Sequence, residues 1–173
     1  STPILLHGEP AALVIGRDIT EQRRVQEALR ASEERFRAIF HSTDIAMAVS
    51  DVEGNWLEVN DAGCEMWGYS REELLRMHIT DVTHPGDRAP SVGLLQSVLR
   101  GERDAYRVEK RYLRKDGDVV WADLSVSCIR NDQGQPVALI GAASNITQRK
   151  AMEQALRDGE RRFRAIADYG ADW

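Results

Sequence analysis

An internal repeat limits the folds open to this chain more than any other feature of its sequence. Residues 18–39 read DITEQRRVQEALRASEERFRAI, and a similar stretch, NITQRKAMEQALRDGERRFRAI, returns 127 positions later at residues 145–166. A period of this length equals one small domain plus a linker, and such self-similarity is typical of tandem arrays. We therefore expect one complete module, bracketed by two copies of the same linker.

The repeat also sets the expected domain boundaries. The segment before the first copy holds two short apolar runs around Gly8-Glu9-Pro10, which predicts a hairpin from the last strands of a preceding module. We expect four parts: a remnant of that module at residues 1–17, a linker helix at 18–42, a complete domain at 43–147, and a second linker helix with the start of a following module at 148–173.

Both copies of the repeat predict helices with a narrow apolar seam. Thr20 and Thr147 are favourable N-cap residues, and no Gly or Pro interrupts residues 20–40. Four apolar residues of the first helix fall on a heptad spacing: Val25, Leu29, Phe36 and Ile39. Heptad spacing favours a parallel two-stranded coiled coil, so we predict a homodimer through the N-terminal helix. A lone amphipathic helix lying across its own sheet is the alternative.

Between the linkers, the hydrophobic period changes from helical to strand-like, then back to helical, then to strand-like again. Residues 61–101 favour short helices, and Pro85 and Pro90 are expected to prevent one continuous helix, which leaves residues 91–99 for the last of them. The strand-like runs are 45–49, 56–59, 106–114, 119–130 and 136–143. This order predicts an α+β fold, with a five-stranded antiparallel sheet, short helices on one face and amphipathic linker helices at both ends.

Several motifs of this domain resemble those of the PAS, or sensory box, domains of bacterial signalling proteins. They are, in chain order, Asp51-Val52-Glu53-Gly54, Val59-Asn60-Asp61-Ala62, Trp67-Gly68-Tyr69-Ser70, His84-Pro85-Gly86-Asp87, Glu109-Lys110-Arg111-Tyr112, Lys115-Asp116-Gly117, Trp121 and Asn145-Ile146-Thr147. No single motif is specific, but their order and spacing together are typical of the family.

The resemblance implies a sheet whose concave face, roofed by short helices, can hold a small molecule. It also implies that an Asp-Ile-Thr end couples the sheet to an output helix, which gives four candidate relay residues: Asp18, Thr20, Asn145 and Thr147. Asn145 departs from the usual Asp and carries no charge, so it can cap a helix but forms no salt bridge. The implied partners are neighbouring PAS modules and an output domain, such as a histidine kinase or a cyclic-di-GMP enzyme.

Strand alternation predicts which side chains line such a pocket, because successive residues of a strand point to opposite faces. Nine residues are assigned to the candidate ligand pocket: Met47, Val49, Leu57, Val59, Cys64, Leu95, Val98, Leu124 and Val126. Trp56 and Trp121 are assigned to the opposite, outer face. The same nine residues also suit a core filled by side chains, so a ligand-free dimerisation spacer is the alternative function.

The residues that bind flavin covalently or ligate haem are absent from the positions where related domains carry them. Light-sensing relatives need an Asn-Cys-Arg motif where this chain has His78-Ile79-Thr80-Asp81-Val82, and haem-binding relatives need a histidine in the helix at residues 91–100. We therefore predict no cofactor. A flavin held without a covalent bond against the tryptophans, in a redox sensor, is the alternative.

Composition and charge exclude several other classes of protein. The 28 acidic and 23 basic residues give a net charge of −5, which does not suit a nucleic-acid binder. No apolar run reaches the roughly 18 residues that span a bilayer, so we expect no membrane contact and a cytoplasmic location. Cys64 and Cys128 lack metal-ligand spacing, and no catalytic constellation is recognisable. A sensory or relay module, rather than an enzyme, is the predicted function.

Overall fold

The computed structural model of this chain describes residues 4–6, 9–11 and 19–170. They fall into two compact units, one that ends at Ile39 and one that begins at Phe40. Each unit is described by itself below.

The first unit contains a short hairpin and most of a long helix. Strand β1 (Ile4–Leu6) pairs antiparallel with β2 (Glu9–Ala11), and α1 (Thr20–His41) follows. Leu5 lies opposite Pro10, so Glu9 and Pro10 belong to the second strand, whereas the sequence suggested a turn at these residues. The second apolar run expected in this hairpin, residues 12–15, lies outside the described residues.

The second unit contains the five-stranded sheet and the remaining helices. Its elements are β3 (Ala46–Ser50), β4 (Trp56–Val59), α2 (Asp61–Trp67), α3 (Arg71–Leu74), α4 (Pro85–Leu99), β5 (Ala105–Leu113), β6 (Val119–Arg130), β7 (Pro136–Asn145) and α5 (Thr147–Gly170). The strand order is β4-β3-β7-β6-β5, and every neighbouring pair is antiparallel. The predicted α+β fold, with a long helix before the sheet and another after it, is confirmed.

Local sequence signals explain the two short helices that follow β4. Asn60 caps α2 by accepting a hydrogen bond from the Gly63 amide at 2.8 Å, and α2 ends at Gly68, whose φ of 76° favours glycine. Ser70 and Glu73 form the capping box that the sequence predicted at the start of α3.

Helix α4 is longer than the prolines led us to expect. It runs without interruption from Pro85 to Leu99 and contains Pro90. Pro85 is tolerated because it occupies the first helical position, where its missing N–H would have no partner in any case. Pro90 removes only one hydrogen bond, to the carbonyl of Gly86, and the first turn is anchored independently by an ion pair between Asp87 and Arg111 of β5.

The hydrophobic core lies between the sheet and helices α2 to α4. Alternation along β6 directs Ala122, Leu124 and Val126 into this core, as predicted, and the aromatic rings of Trp56, Trp67 and Tyr112 stack beside them. We call this side of the sheet the inner face. The opposite side, which carries Trp121, is the outer face.

Candidate functional site

A cavity of about 250 Å³ lies between the inner face of the sheet and α4. Its wall is mostly apolar, and α4, β6 and β7 contribute six aliphatic side chains to it: Val92, Leu95, Leu99, Leu124, Val126 and Leu139. Val92 and Gln96 of α4 and Glu53 of the β3–β4 turn line it as well and are exposed, so the cavity opens to solvent between that helix and that turn. An apolar, concave space with a few polar groups is the usual form of a small-molecule site.

The structure brings only some of the nine predicted pocket residues to this cavity. Leu95, Leu124 and Val126 line it. Met47 and Val49 do not, because β3 has the opposite phase from the one assumed and directs Ala48 and Ser50 inward instead. Three further residues lie elsewhere in or beside the core, away from the cavity wall: Val59, Cys64 and Val98.

A β-bulge in β4 reverses the positions expected for Leu57 and Trp56. Ser50 pairs with Trp56 while Val49 pairs with Glu58, so Leu57 is an extra residue in the strand. Leu57 is consequently 54% exposed. Trp56, assigned from the sequence to the outer face, is buried, lines the cavity and stacks on Trp67 with ring centroids 5.0 Å apart.

One polar corner of the cavity is built around Lys110 of β5. Residues 82–84 pair with this strand: the Leu113 amide donates to the carbonyl of Val82 at 2.8 Å, and the His84 amide donates to that of Arg111 at 3.1 Å. This pairing sets Thr83 beside Lys110, whose Nζ donates to Thr83 Oγ1 at 3.0 Å. Thr83 Oγ1 in turn donates to the carbonyl of Ile79 at 2.9 Å.

Lys110 is a buried cation without a carboxylate partner. Its side chain is 7% exposed, and within the described residues no acidic group lies within 4.0 Å of its Nζ. Burial lowers the pKa of Lys110 to about 8, against a weaker opposing effect of Asp87. The ammonium lies 4.6 Å from the centroid of the Tyr112 ring, a cation–π distance.

Two tyrosine side chains also line the cavity. Tyr106 and Tyr112 are both buried and point inward from β5 on either side of Lys110. Burial raises the pKa of Tyr106 to about 12 and raises that of Tyr112 further still. Both phenols therefore stay protonated at neutral pH and can act as hydrogen-bond donors.

The β3–β4 turn closes over the end of the cavity formed by residues 78–80. His78 Nε2 lies 2.7 Å from the carbonyl oxygen of Glu53, and the Ile79 amide donates to the carbonyl of Gly54 at 2.9 Å. Gly54 has φ of 97°, and a Cβ at this position would lie 2.4 Å from His78 Nε2. Glycine is thus required both by the backbone and by the close approach of the imidazole.

The outer face of β5 carries paired charges that contact other elements. Glu109 accepts hydrogen bonds from Arg149 at 2.7 Å and from Lys150 at 2.5 Å, both in the first turn of α5. These cations hold the pKa of Glu109 below its usual range. Arg111 binds Asp87 at the start of α4 through two nitrogens, at 2.7 and 3.0 Å, and this holds the pKa of Asp87 low.

Asn145 and Thr147 connect the end of the sheet to α5. Asn145 Oδ1 accepts from the Thr147 amide at 2.9 Å, so the cap that the sequence assigned to Thr147 is supplied by Asn145. Thr147 Oγ1 instead accepts from the Trp121 amide of β6 at 3.0 Å, which fixes the helix to the sheet. Of the other two candidate relay residues, Thr20 begins α1 and Asp18 lies outside the described residues.

The four seam residues predicted on α1 are exposed in a single copy of the chain. Their exposed fractions run from 43% to 65% for Val25, Leu29, Phe36 and Ile39. The second copy of the repeat shows the same feature, with exposed apolar side chains at Met152, Leu156, Phe163 and Ile166 of α5. Both helices thus present an apolar stripe on heptad spacing.

Sequence reasoning gave no role to two buried polar side chains, Lys110 and Asn60, although both lie in motifs on which the family resemblance rests. Lys110 continues the inward alternation of Tyr106 and Tyr112, so the period-2 pattern could have found it, but a lysine is ordinarily assigned to the surface. Asn60 is fully buried, donates to the carbonyls of Phe40 and Ile45 and accepts from the amides of Met47 and Gly63, all at 2.8 Å. Its motif was noted, but these distant contacts leave no signal in the sequence.

The architecture is that of a sensor domain: a five-stranded antiparallel sheet that encloses a small cavity under short helices and leads directly into a long helix. The family model described as the PAS fold matches residues 34–146, so the chain belongs to the PAS family. It is a PAS sensory domain, a non-catalytic module of signal-transduction proteins.

Two curated relatives illustrate the proteins in which this domain occurs. The chain is 35% identical over 151 residues to the probable diguanylate cyclase DgcE of Escherichia coli (strain K12), an alignment covering 87% of this chain and 13% of that protein. It is 29% identical over 148 residues to the sensor histidine kinase TmoS of Ectopseudomonas mendocina, covering 84% of this chain and 15% of that protein. The chain therefore spans a small fraction of the length of either relative.

Solved structures share the fold at low sequence identity. A PAS domain from Colwellia psychrerythraea matches with a TM-score of 0.63 and 24% identity, over 68% of this chain and 98% of that one. A LOV protein from Rhodobacter sphaeroides matches with a TM-score of 0.61 and 18% identity, over 76% of each chain. At these identities the similarity establishes the fold alone.

Two kinds of feature are absent from the described residues. None of the helices in that part of the chain has the length and apolar character to cross a membrane. Nor does that part bring together three His, Cys, Asp or Glu side chains in a group that could hold a metal ion.

Proposed function

We propose that this PAS domain senses the occupancy of its cavity and relays it to α5, and through that helix to an output domain. The observation that carries the proposal is the run Glu109-Lys110-Arg111 in β5. Its middle residue faces the cavity, its first residue binds two cations of α5, and its last residue binds the start of α4. A displacement of this strand thus acts on the roof of the cavity and on the exit helix together.

The link between strand and helix is reinforced on the outer face. Trp121 of β6 lies under two cations, with Lys150 of α5 at 5.2 Å and Arg111 of β5 at 5.6 Å from its ring centroid. The Trp121 amide also donates to Thr147, and its carbonyl accepts from the Ile146 amide at 2.8 Å. The first turn of α5 is therefore fixed to two strands that line the cavity on their other face.

A cavity-filling variant tests this relay in the isolated chain. Leu95→Phe adds volume inside the cavity and mimics an occupant, so we expect altered amide hydrogen exchange in residues 147–152. In a Glu109→Gln background the same substitution should leave the exchange of that segment unchanged, whereas Glu58→Gln, on the opposite edge strand, should not remove the response. An identical response with and without Glu109 would show that β5 does not carry the signal.

We also propose that the domain works as a homodimer through α1. Val25, Leu29 and Ile39 expose most of their side chains on one heptad stripe, and a second copy of the same helix offers a matching stripe. Burying a Val, Leu or Ile side chain contributes about 1.5–3 kcal/mol. Several such residues in each copy therefore suffice for association, where a single one would not.

The seam makes a direct prediction for the oligomeric state. Leu29→Glu combined with Val25→Glu should give a folded monomer, because like charges replace the apolar contacts at adjacent heptad positions. Ala31→Glu, which adds a charge at an exposed position off the stripe, should leave the dimer intact. Light scattering measures the mass directly, and a double variant that stays dimeric would remove α1 from the interface.

The output domain follows from the relatives rather than from this chain. Its relatives include a histidine kinase and a probable diguanylate cyclase of which it matches only a small part. We therefore propose that this domain regulates an output of one of these two kinds in its parent protein. The cavity supports a sensing role over that of a pure dimerisation spacer.

A further inference from the structure

We propose that the cavity binds a small amphipathic carboxylate, with the carboxylate on Lys110 and the apolar chain along the inner side of α4. This inference rests on the proposed sensing function and names the chemical class of its ligand.

The Lys110 ammonium has unused hydrogen-bonding capacity. It carries three N–H donors, and its one hydrogen bond within the described part of the chain goes to the neutral hydroxyl of Thr83. Thr83 already donates its own proton to the Ile79 carbonyl. It therefore gives the lysine one hydrogen-bond acceptor and no negative charge. A buried cation in this state gains from an anion that enters the cavity, because such a group is costly to bury unpaired.

The composition of the cavity favours an anion with an apolar body. Its wall is mostly apolar, and Lys110 is the one Lys or Arg side chain among its described lining residues. A single ammonium matches the charge of one carboxylate, whereas a phosphate group is usually met by several donors or by an arginine fork. The phenol of Tyr112, next to Lys110 on the same face, remains protonated and can donate to the same carboxylate, whereas that of Tyr106 can donate only to a second polar group further along the ligand.

The register of the sheet gives the cavity a direction. Tyr106 pairs with Val126, and Lys110 pairs with Ala122, four residues further along β5. At about 3.3 Å per residue these positions lie roughly 13 Å apart. The cationic end therefore lies near Thr83, and the aliphatic end near Leu99 and Leu139, which suits an extended ligand rather than a compact one.

The acidic and ionisable groups around the cavity are consistent with this orientation. Glu53 lies at the exposed edge, His78 is occupied by contacts with Thr80 and Glu53, and Asp87 is held by Arg111 on the other side of β5. Among the described residues none of these acids approaches within salt-bridge distance of Lys110.

The test uses the whole chain and three probes of equal chain length: octanoate, 1-octanol and octylamine. Isothermal titration of the wild type should show octanoate binding at least tenfold more tightly than either of the others. In Lys110→Met, which keeps the bulk and removes the charge, this preference for octanoate over octanol should disappear. Arg107→Gln removes a cation from the outer face of the same strand and should retain the preference.

Several results would overturn the assignment. These are equal binding of octanoate and octanol by the wild type, tighter binding of octylamine, no binding of any probe, or a full preference for octanoate in Lys110→Met. The comparison among probes in the wild type stands even if the variant fails to fold. The result is separable from the relay, since Glu109→Gln should bind octanoate normally while failing to transmit the effect of Leu95→Phe to α5.

Discussion

The two faces of the central sheet differ in how their charged side chains are paired and buried. On the outer face, Arg107 pairs with Asp123, and Glu109 pairs with Arg149 and Lys150, all partly in contact with water. On the inner face, one step along the same strand, Lys110 is buried with a hydroxyl as its hydrogen-bond partner. Exposed ion pairs contribute little to stability because water screens them, whereas a buried unpaired charge carries a large cost.

The contrast corresponds to the two tasks that we propose for the domain, ligand binding and relay. The outer face links strands to one another and to α5 by interactions that can break and re-form at small cost. The inner face encloses an apolar cavity in which Lys110 is the one Lys or Arg among the described lining residues. In our proposal, a ligand on the inner face influences the weak contacts of the outer face through β5, the strand that carries both.

The largest expected difference between the faces concerns two tryptophans. Trp67 is 2% exposed in the core, so Trp67→Ala should lower the free energy of unfolding by about 3–5 kcal/mol. Trp121 is half-buried on the outer face, so Trp121→Ala should cost about 2 kcal/mol. Urea unfolding followed by far-UV circular dichroism compares them directly. Equal losses would mean that the outer face is as tightly packed as the core.

The next effect is a pH dependence of stability that originates from Lys110. Its pKa is lowered from 10.5 to about 8 in the folded chain by burial. Between these values the unfolded chain binds more protons than the folded one, so stability should rise with pH, by roughly 3 kcal/mol across the window. Below a pH of about 8, Lys110 is protonated in both states and makes no further contribution to the change of stability with pH.

The groups that face Lys110 set the control for this measurement. Glu53, His78 and the two cavity tyrosines line the cavity with it, and Asp87 lies on the other side of β5. Burial raises the pKa of both tyrosines above their ordinary value of 10, so from about pH 10 upward they lower stability and oppose the rise. Lys110→Met should remove most of the rise and should be more stable than the wild type at neutral pH, because it no longer buries a charge. The measurement is the urea midpoint of the wild type and of Lys110→Met at roughly pH 8 and 10. If the variant shows the same increase in stability with pH as the wild type, the increase comes from another group.

The smallest effect belongs to the outer ion pairs. Arg107 lowers the pKa of Asp123, so the pair stabilises the fold above the ordinary range of an aspartate and loses that contribution as the pH falls through the folded pKa. Asp123→Asn should cause a slight loss of stability at neutral pH that shrinks further in high salt. A loss of stability in Asp123→Asn as large as that in Trp67→Ala would contradict the view that contacts on the outer face are weaker than those in the core.

Much of this fold could be predicted because its signals are local. The capping box of Ser70 and Glu73, the order of strands and helices along the chain, and the alternation of β6 depend on residues a few positions apart, and each was found as expected. The repeat and the order of the PAS motifs gave the family for the same reason, since they require only that residues recur in sequence. The heptad stripe on α1 is equally visible, and its role in a dimer remains a prediction.

The sequence by itself thus determined the family, the order of the elements and the helix signals. The tertiary structure decided which residues meet in the cavity. The bulge at Leu57 turned Trp56 inward, the phase of β3 excluded Met47 and Val49, and pairing of residues 82–84 with β5 set Thr83 beside Lys110. The physical reason lies in how strands place their side chains. The sequence of a strand shows that successive side chains point to opposite faces of the sheet. Only the pairing with distant strands determines which of the two sets points into the core.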